Sequence, residues 1–152
     1  MRKYMRRNIF PALILCGLLT GCQGRGHTEA TDYAERLTKA QEIAVIPAGA
    51  SEAAEVFSGE EEQKKFLEEL GIEEGIEDWA PVSLPEDAKE TGSFVFAQEE
   101  TLRFGETETD GELYDICRLR VYDGPYVSLE LGKVTVTFEV PEETADKLNS
   151  YF

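Results

Sequence analysis

Cysteine and histidine supply much of the nucleophilic and metal-binding chemistry of proteins, and this sequence has three cysteines and one histidine. Cys16 and Cys22 lie within and just after an N-terminal apolar run, whereas Cys117 lies among alternating apolar residues. His27 stands in a Gln/Gly/Arg/Thr segment that is typical of a tether. Because a tethered histidine cannot be held against a nucleophile, we expect neither histidine-assisted Ser, Cys or Thr catalysis nor a histidine-rich zinc site.

The N-terminus has the pattern of an export signal. Four basic residues and no acidic residue occupy positions 1–8, and an apolar run follows from Ile9 to Leu19. As a helix this run rises only about 16 Å, well short of the roughly 30 Å hydrocarbon core of a membrane. A basic start, a short apolar centre and small residues after it are typical of a secretory signal peptide.

The residues Leu19-Thr20-Gly21-Cys22 follow the order apolar, small, small, cysteine. They resemble the lipobox of bacterial lipoproteins, and the resemblance implies that the Cys22 thiol is acylated and the chain is cut before it. Two acyl chains would anchor the product at a membrane. We therefore expect a signal peptide at 1–21, a lipidated tether at 22–30, and a single domain at 31–152 on the outer, extracytoplasmic side.

The charge of the chain restricts its partners. Without residues 1–21 it keeps 11 Lys and Arg against 31 Asp and Glu, a net charge of −20. This charge opposes binding to nucleic acid or anionic head groups and favours solubility, divalent cations and basic partners. Cys117 would then have no cysteine to pair with, so we expect a small core side chain there. The sequence has no glycine-rich phosphate loop, and we expect no cofactor.

Two acidic segments suggest further chemistry. Residues 106–112 alternate acids before a glycine, as an EF-hand calcium loop does, but they begin with Glu and place Cys117 where the bidentate ligand belongs. Glu77 and Asp78 beside Trp79 are candidates for carboxylate-dependent glycan hydrolysis. We favour structural roles for both segments, as a solvated acidic connection and as a loop anchored by its Trp, and predict no metal ligand or catalytic residue.

In the first half of the domain we expect a short helix at residues 31–40 and two short strands, at 43–46 and 55–57. Ser58 and Glu61 have the spacing of a capping box, which predicts a helix that ends at Gly71. Residues 72–92 contain two prolines and are expected to be irregular.

The second half is expected to be rich in strands. Gly132-Lys133 predicts a two-residue hairpin loop, and a three-residue loop at 123–125 brings apolar residues opposite one another. The resulting antiparallel meander covers residues 113–122, 126–131 and 134–140. A further hairpin is predicted between 94–98 and 101–104, and a helix should follow Pro141.

These elements predict an α+β domain: an antiparallel sheet of four to six strands, including the C-terminal three-stranded meander, with two or three helices on one face. In this arrangement the domain resembles small uncharacterised lipoproteins of Gram-positive anaerobes.

The register also predicts a surface on the face of the sheet away from the helices. Its members are arginines and aromatics, which are enriched where proteins bind partners. They are Phe94, Phe96, Arg103, Arg118, Arg120, Tyr122 and Tyr126. The alternative is ordinary sheet chemistry, with Arg118–Glu130 and Tyr122–Tyr126 as cross-strand pairs and the two phenylalanines under the 72–92 segment.

We therefore expect a non-enzymatic binding or interaction module at the cell envelope, with an envelope or extracellular protein as its partner. A calcium-binding surface lipoprotein and a carboxylate-dependent glycan-acting enzyme are the alternatives.

Overall fold

The computed structural model describes residues 34–72 and 76–152. The predicted signal peptide and tether, with Cys22 and His27, lie outside the described residues. Within the described ranges, no helix has the length and apolar character needed to cross a membrane.

The domain is α+β, as expected, and its strands form one antiparallel sheet. Residues 34–38 form α1, and the remaining helices are α2 (Glu60–Glu69) and α3 (Glu142–Asn149). The strands are β1 (Glu42–Pro47), β2 (Glu55–Phe57), β3 (Ala80–Pro81), β4 (Glu90–Glu99), β5 (Leu113–Tyr122), β6 (Tyr126–Leu131) and β7 (Val134–Glu139).

Within the described residues the sheet has seven strands, in the order β2-β1-β4-β5-β6-β7-β3, so their number differs from the expected four to six. One unexpected strand is β3, which follows a 3₁₀ turn at Ile76–Asp78 in the segment expected to be irregular. Its two residues pair with Phe138 and Glu139 of β7. Two residues are too few to show the alternation of a strand, and proline disfavours strands because it lacks a backbone N–H donor. The sequence therefore could not indicate β3, which forms because β7 lies beside it.

The C-terminal meander has the predicted register. Leu119 faces Leu129 and Val121 faces Val127 between β5 and β6, and Leu131 faces Val134 at the start of β7. Gly132 supplies the positive φ of 61° in the tight loop between β6 and β7. β1 also pairs with β2, with Ile43 opposite Phe57.

The predicted hairpin of 94–98 with 101–104 is wrong. β4 instead lies between β1 and β5, with Phe96 opposite Ile43 on one side and opposite Cys117 on the other. Both edges of β4 are therefore occupied, and residues 101–104 are not a strand but part of the connection to β5. Distant partners decided this pairing, because the local sequence contains no turn signal strong enough to close a hairpin.

The three helices pack on one face of the sheet and enclose a single apolar core. Phe66 of α2 lies at its centre, with its ring centroid 4.7 Å from that of Phe94. The helix predicted after Pro141 is α3, and Ala145 and Leu148 bury one of its faces against the sheet. Burying each large apolar side chain contributes roughly 1.5–3 kcal/mol, so this core accounts for the position of the helices.

The start of α2 differs from the prediction. Its N-cap is Gly59 in an extended conformation, and no side chain caps the helix, so the predicted capping box of Ser58 and Glu61 does not form. The end is as predicted, since Gly71 follows the helix with a positive φ of 68°. The acidic first turn, Glu60–Glu62, complements the helix dipole without a capping side chain.

Candidate functional site

The sequence places its candidate surface on the sheet face opposite the helices, and β5 supplies the central part of that face. Leu119 and Val121 are completely buried in the core, so Arg118 and Arg120, which alternate with them, lie on the opposite face. The neighbouring strands place Ser93 of β4 and Ser128 of β6 directly opposite Arg120.

Arg120 forms an ion bridge across three strands. Its Nε donates to Glu130 Oε1 at 2.6 Å, and its Nη1 donates to Glu90 Oε2 at 2.8 Å. These hydrogen bonds, the one to Glu130 first, raise the pKa of Arg120 above its usual high value. All three side chains are about one-third exposed, so the bridge joins β4, β5 and β6 at the surface.

The expected Arg118–Glu130 pair is replaced by this diagonal contact. Arg118 lies directly opposite Glu130 along the strands, yet the Glu130 carboxylate binds Arg120. Arg120 has carboxylates on both sides, so it gains two charge-assisted hydrogen bonds in one position. Strand register alone does not distinguish a direct pair from a diagonal one.

Phe94 and Phe96 do not belong to this surface, so their predicted place on the outer face is wrong. Both are completely buried in the core, and Val95 and Ala97 occupy the outer face instead. The cause is the register of β4 on β5, which places Phe94 opposite Leu119 and therefore on the same side of the sheet. The predicted hairpin had assigned them to the wrong face.

Arg103 also lies away from the surface. It sits in the connection between β4 and β5, where its guanidinium contacts Glu100 at 2.9 Å and its side chain is 75% exposed. Tyr122 is on the expected face and 8% exposed, and Tyr126 is half-buried. Of the seven predicted residues, strand alternation thus places Arg118, Arg120, Tyr122 and Tyr126 on the outer face of the sheet.

The acidic connection makes its hydrogen bonds locally. The Tyr114 hydroxyl and the Glu112 amide both donate to Asp110, and these bonds lower the pKa of Asp110. Glu106 accepts a hydrogen bond from the Arg103 amide at 2.9 Å. In residues 34–72 and 76–152, no group of three or more His, Cys, Asp or Glu side chains is arranged to hold a metal ion.

Trp79 and Cys117 are both core residues. The Trp79 ring lies 5.8 Å from the Phe138 ring and is 6% exposed, which agrees with an anchoring role. Cys117 is 4% exposed, and burial raises the pKa of its thiol to about 12. A thiol with so high a pKa is neutral at physiological pH and a poor nucleophile.

A different surface feature was missed from the sequence. Four of the large apolar side chains that are exposed belong to the start of β5 and the connection before it: Leu102, Phe104, Leu113 and Tyr114. Nearby, Tyr114 and Ile116 line a recess of about 290 Å³ whose other walls are Gln98, Glu99, Glu100 and Thr101. The sequence does show these apolar residues within a strongly acidic segment. Their exposure could not be predicted, because it depends on how far β5 extends beyond its neighbours.

No protein-family model matches this chain, and no curated protein matches it. Among solved structures, a thioesterase-like protein from Clostridium sporogenes is similar over 74% of this chain and 94% of its own, at 13% sequence identity and a TM-score of 0.39. The expectation of a non-enzymatic binding module is contradicted by this neighbour, which is named for an enzyme class, and we withdraw it. At this level of similarity, the likeness does not extend to an activity of this chain.

Proposed function

We propose that this protein is an extracytoplasmic lipoprotein whose acidic α+β domain is held at a cell membrane by a lipid on Cys22. The observation that carries the proposal is the sequence Leu19-Thr20-Gly21-Cys22 directly after a basic and then apolar N-terminus. The state of Cys117 supports it. In the folded domain the Cys117 thiol is buried and its pKa is raised, which makes it a poor acyl acceptor and leaves Cys22 as the candidate after the signal peptide is removed.

The charge of the domain fits this position. Eleven residues lie between Cys22 and Ala34, the first described residue, and so short a chain spans at most about 40 Å. The lipid would keep the domain close to the bilayer, while its negative charge would repel anionic head groups and keep it from lying on them. The protein would thus present its acidic surface just outside the membrane.

The test is metabolic labelling with an alkyne fatty acid, comparing the full chain with Cys22→Ser. The native chain should become labelled and lose residues 1–21, whereas Cys22→Ser should remain unlabelled and uncleaved. Cys16→Ser is the matched control, because it removes a cysteine six positions earlier without changing the cleavage position. Continued labelling of Cys22→Ser, or normal labelling lost in Cys16→Ser, would overturn the proposal.

A further inference from the structure

β4 and β5 extend beyond their neighbours and form a two-stranded arm. Ala97–Glu99 pair with Leu113–Asp115, whereas β5 pairs with β6 only from Arg118 and Glu130 onward. On the other side, β1 reaches β4 no further than Ala97. The arm therefore consists of the last residues of β4, the first residues of β5, and the connection at 100–112.

One long edge of this arm is free in the part of the chain that the structure describes. No described strand lies beside residues 113–116 on the side where β6 would continue. Leu113, Tyr114 and Asp115 are all exposed, so neither face of the strand is covered there. An extended edge with unpaired backbone groups is a template for another strand.

The recess beside this edge has a specific chemical character. Tyr114 and Ile116 contribute its large apolar side chains, and Glu99 and Glu100 are among the residues that line it. A lining that combines apolar side chains with carboxylates suits a side chain with an apolar stem and a cationic end, such as lysine or arginine. Arg103 of the same chain already forms an ion pair with Glu100, at 2.9 Å, which shows that this carboxylate can bind a guanidinium group.

Charge decides what kind of strand the edge would accept. Residues 99–115 contain seven acidic residues and a single basic one, Arg103. A second copy of this chain would bring the same negative charge to the edge, and anionic lipid would also be repelled. A basic segment is attracted, and its alternating side chains would reach both the exposed apolar residues and the acids.

We infer that the free edge of β5 at 113–116 is a docking site for an extended, basic and apolar segment of another protein. The segment adds to the sheet as a strand beside β5. Its backbone pairs with the free edge, one cationic side chain enters the recess between Tyr114 and Glu99, and apolar side chains cover Leu113. This inference does not depend on lipidation of Cys22.

The test measures binding of three synthetic octapeptides to the full chain in nonionic detergent by fluorescence anisotropy, with detergent alone as the blank. The probe alternates lysine and valine. A lysine–serine peptide carries the same charge without apolar side chains. The third peptide repeats the probe with N-methyl groups along one edge, which blocks strand pairing. We expect the probe to bind at least about tenfold more tightly than either comparison peptide.

Substitutions locate the site. Tyr114→Ser should weaken binding of the probe at least about fivefold, because it removes the aromatic side chain that lines the recess. Val56→Ser is the matched control, since Val56 and Tyr114 are both 45% exposed but Val56 lies on β2 at the far edge of the sheet. Arg103→Gln should strengthen binding by freeing Glu100. Glu99→Gln should weaken it.

Four results would overturn the inference. Equal affinity for the lysine–serine peptide would reduce the interaction to unspecific charge attraction, and equal affinity for the N-methylated peptide would exclude strand addition. An equal loss in Val56→Ser and Tyr114→Ser would place binding elsewhere. Self-association in light scattering that Tyr114→Ser abolishes would assign the edge to a second copy.

Discussion

The aromatic ring of Phe152 lies against the backbone of Gly92, where a Cβ atom would stand only 2.2 Å from the ring carbon Cε1. The same ring is 5.2 Å from that of Phe94, so the C-terminus closes over β4. Gly92→Ala should therefore force the ring away and lower the free energy of unfolding by about 1–3 kcal/mol. Urea unfolding of the full chain in nonionic detergent measures this change.

A double-mutant cycle identifies the ring as the cause. In a Phe152→Ala background the methyl group at position 92 finds free space, so Gly92→Ala should cost clearly less there than in the native chain. An unchanged cost in both backgrounds would mean that strand geometry rather than Phe152 requires the glycine.

The ion bridge of Arg120 should contribute modestly to stability. Arg120→Gln leaves Glu90 and Glu130 without their shared cation, and we expect a loss of about 1 kcal/mol because the bridge is partly exposed to solvent. Arg103→Gln is the control. Its contact with Glu100 is largely exposed and should be worth nearly nothing. Equal losses in the two variants would show that the bridge adds nothing beyond an ordinary surface pair.

At the start of α2, Ser58→Ala should have almost no effect on stability. Ser58 is exposed and Gly59 is the N-cap without any capping side chain, so Ser58→Ala should change the free energy of unfolding by less than about 0.5 kcal/mol. A functioning capping box would lose about 1 kcal/mol on the same substitution. Chemical denaturation distinguishes the two values, and a loss of the larger size would restore the capping box.

Tyr151 should make the domain sensitive to alkaline pH. Burial first, and then the hydrogen bond that its hydroxyl donates to Glu69 at 2.7 Å, raise the pKa of Tyr151. A phenol with a raised pKa in the folded state stabilises the fold fully below its unfolded pKa of about 10, and this stabilisation is lost as pH rises beyond that value. The native chain should therefore lose stability above pH 10 more steeply than Tyr151→Phe. Parallel curves for the two proteins would contradict this assignment.

Cys117 should be protected from thiol reagents in the folded state. Its thiol is 4% exposed and has a pKa raised to about 12, so a disulfide reagent at pH 8 should react at least about 100-fold more slowly than in urea. The number of thiols that react in urea also tests the proposed lipidation. A chain that has lost residues 1–21 and is acylated at Cys22 should show one reactive thiol, that of Cys117. Rapid reaction without denaturant would show that the core opens around β5.

The local sequence determined those features whose signals lie within a few residues. Gly132 and the loop at 123–125 join strands that are adjacent in the chain, and a slip of one residue would have turned every apolar side chain of the meander to solvent. The register of β5, β6 and β7 followed from that constraint. The break after α2 followed from Gly71, because glycine readily adopts the positive φ required there.

Tertiary structure decided the features that depend on distant partners. The sequence of β4 is apolar at Phe94, Val95, Phe96 and Ala97 alike, so alternation could not show which face is buried. Pairing with β1, about 50 residues earlier, and with β5 turned the phenylalanines inward and removed them from the proposed surface. Three further features depend on distant partners in the same way. They are the ion pair of Arg120 with Glu130, the contact of Phe152 with Gly92, and the free edge of β5. Each depends on which strands lie side by side and where they stop, and non-local pairing is not encoded in any short stretch of sequence.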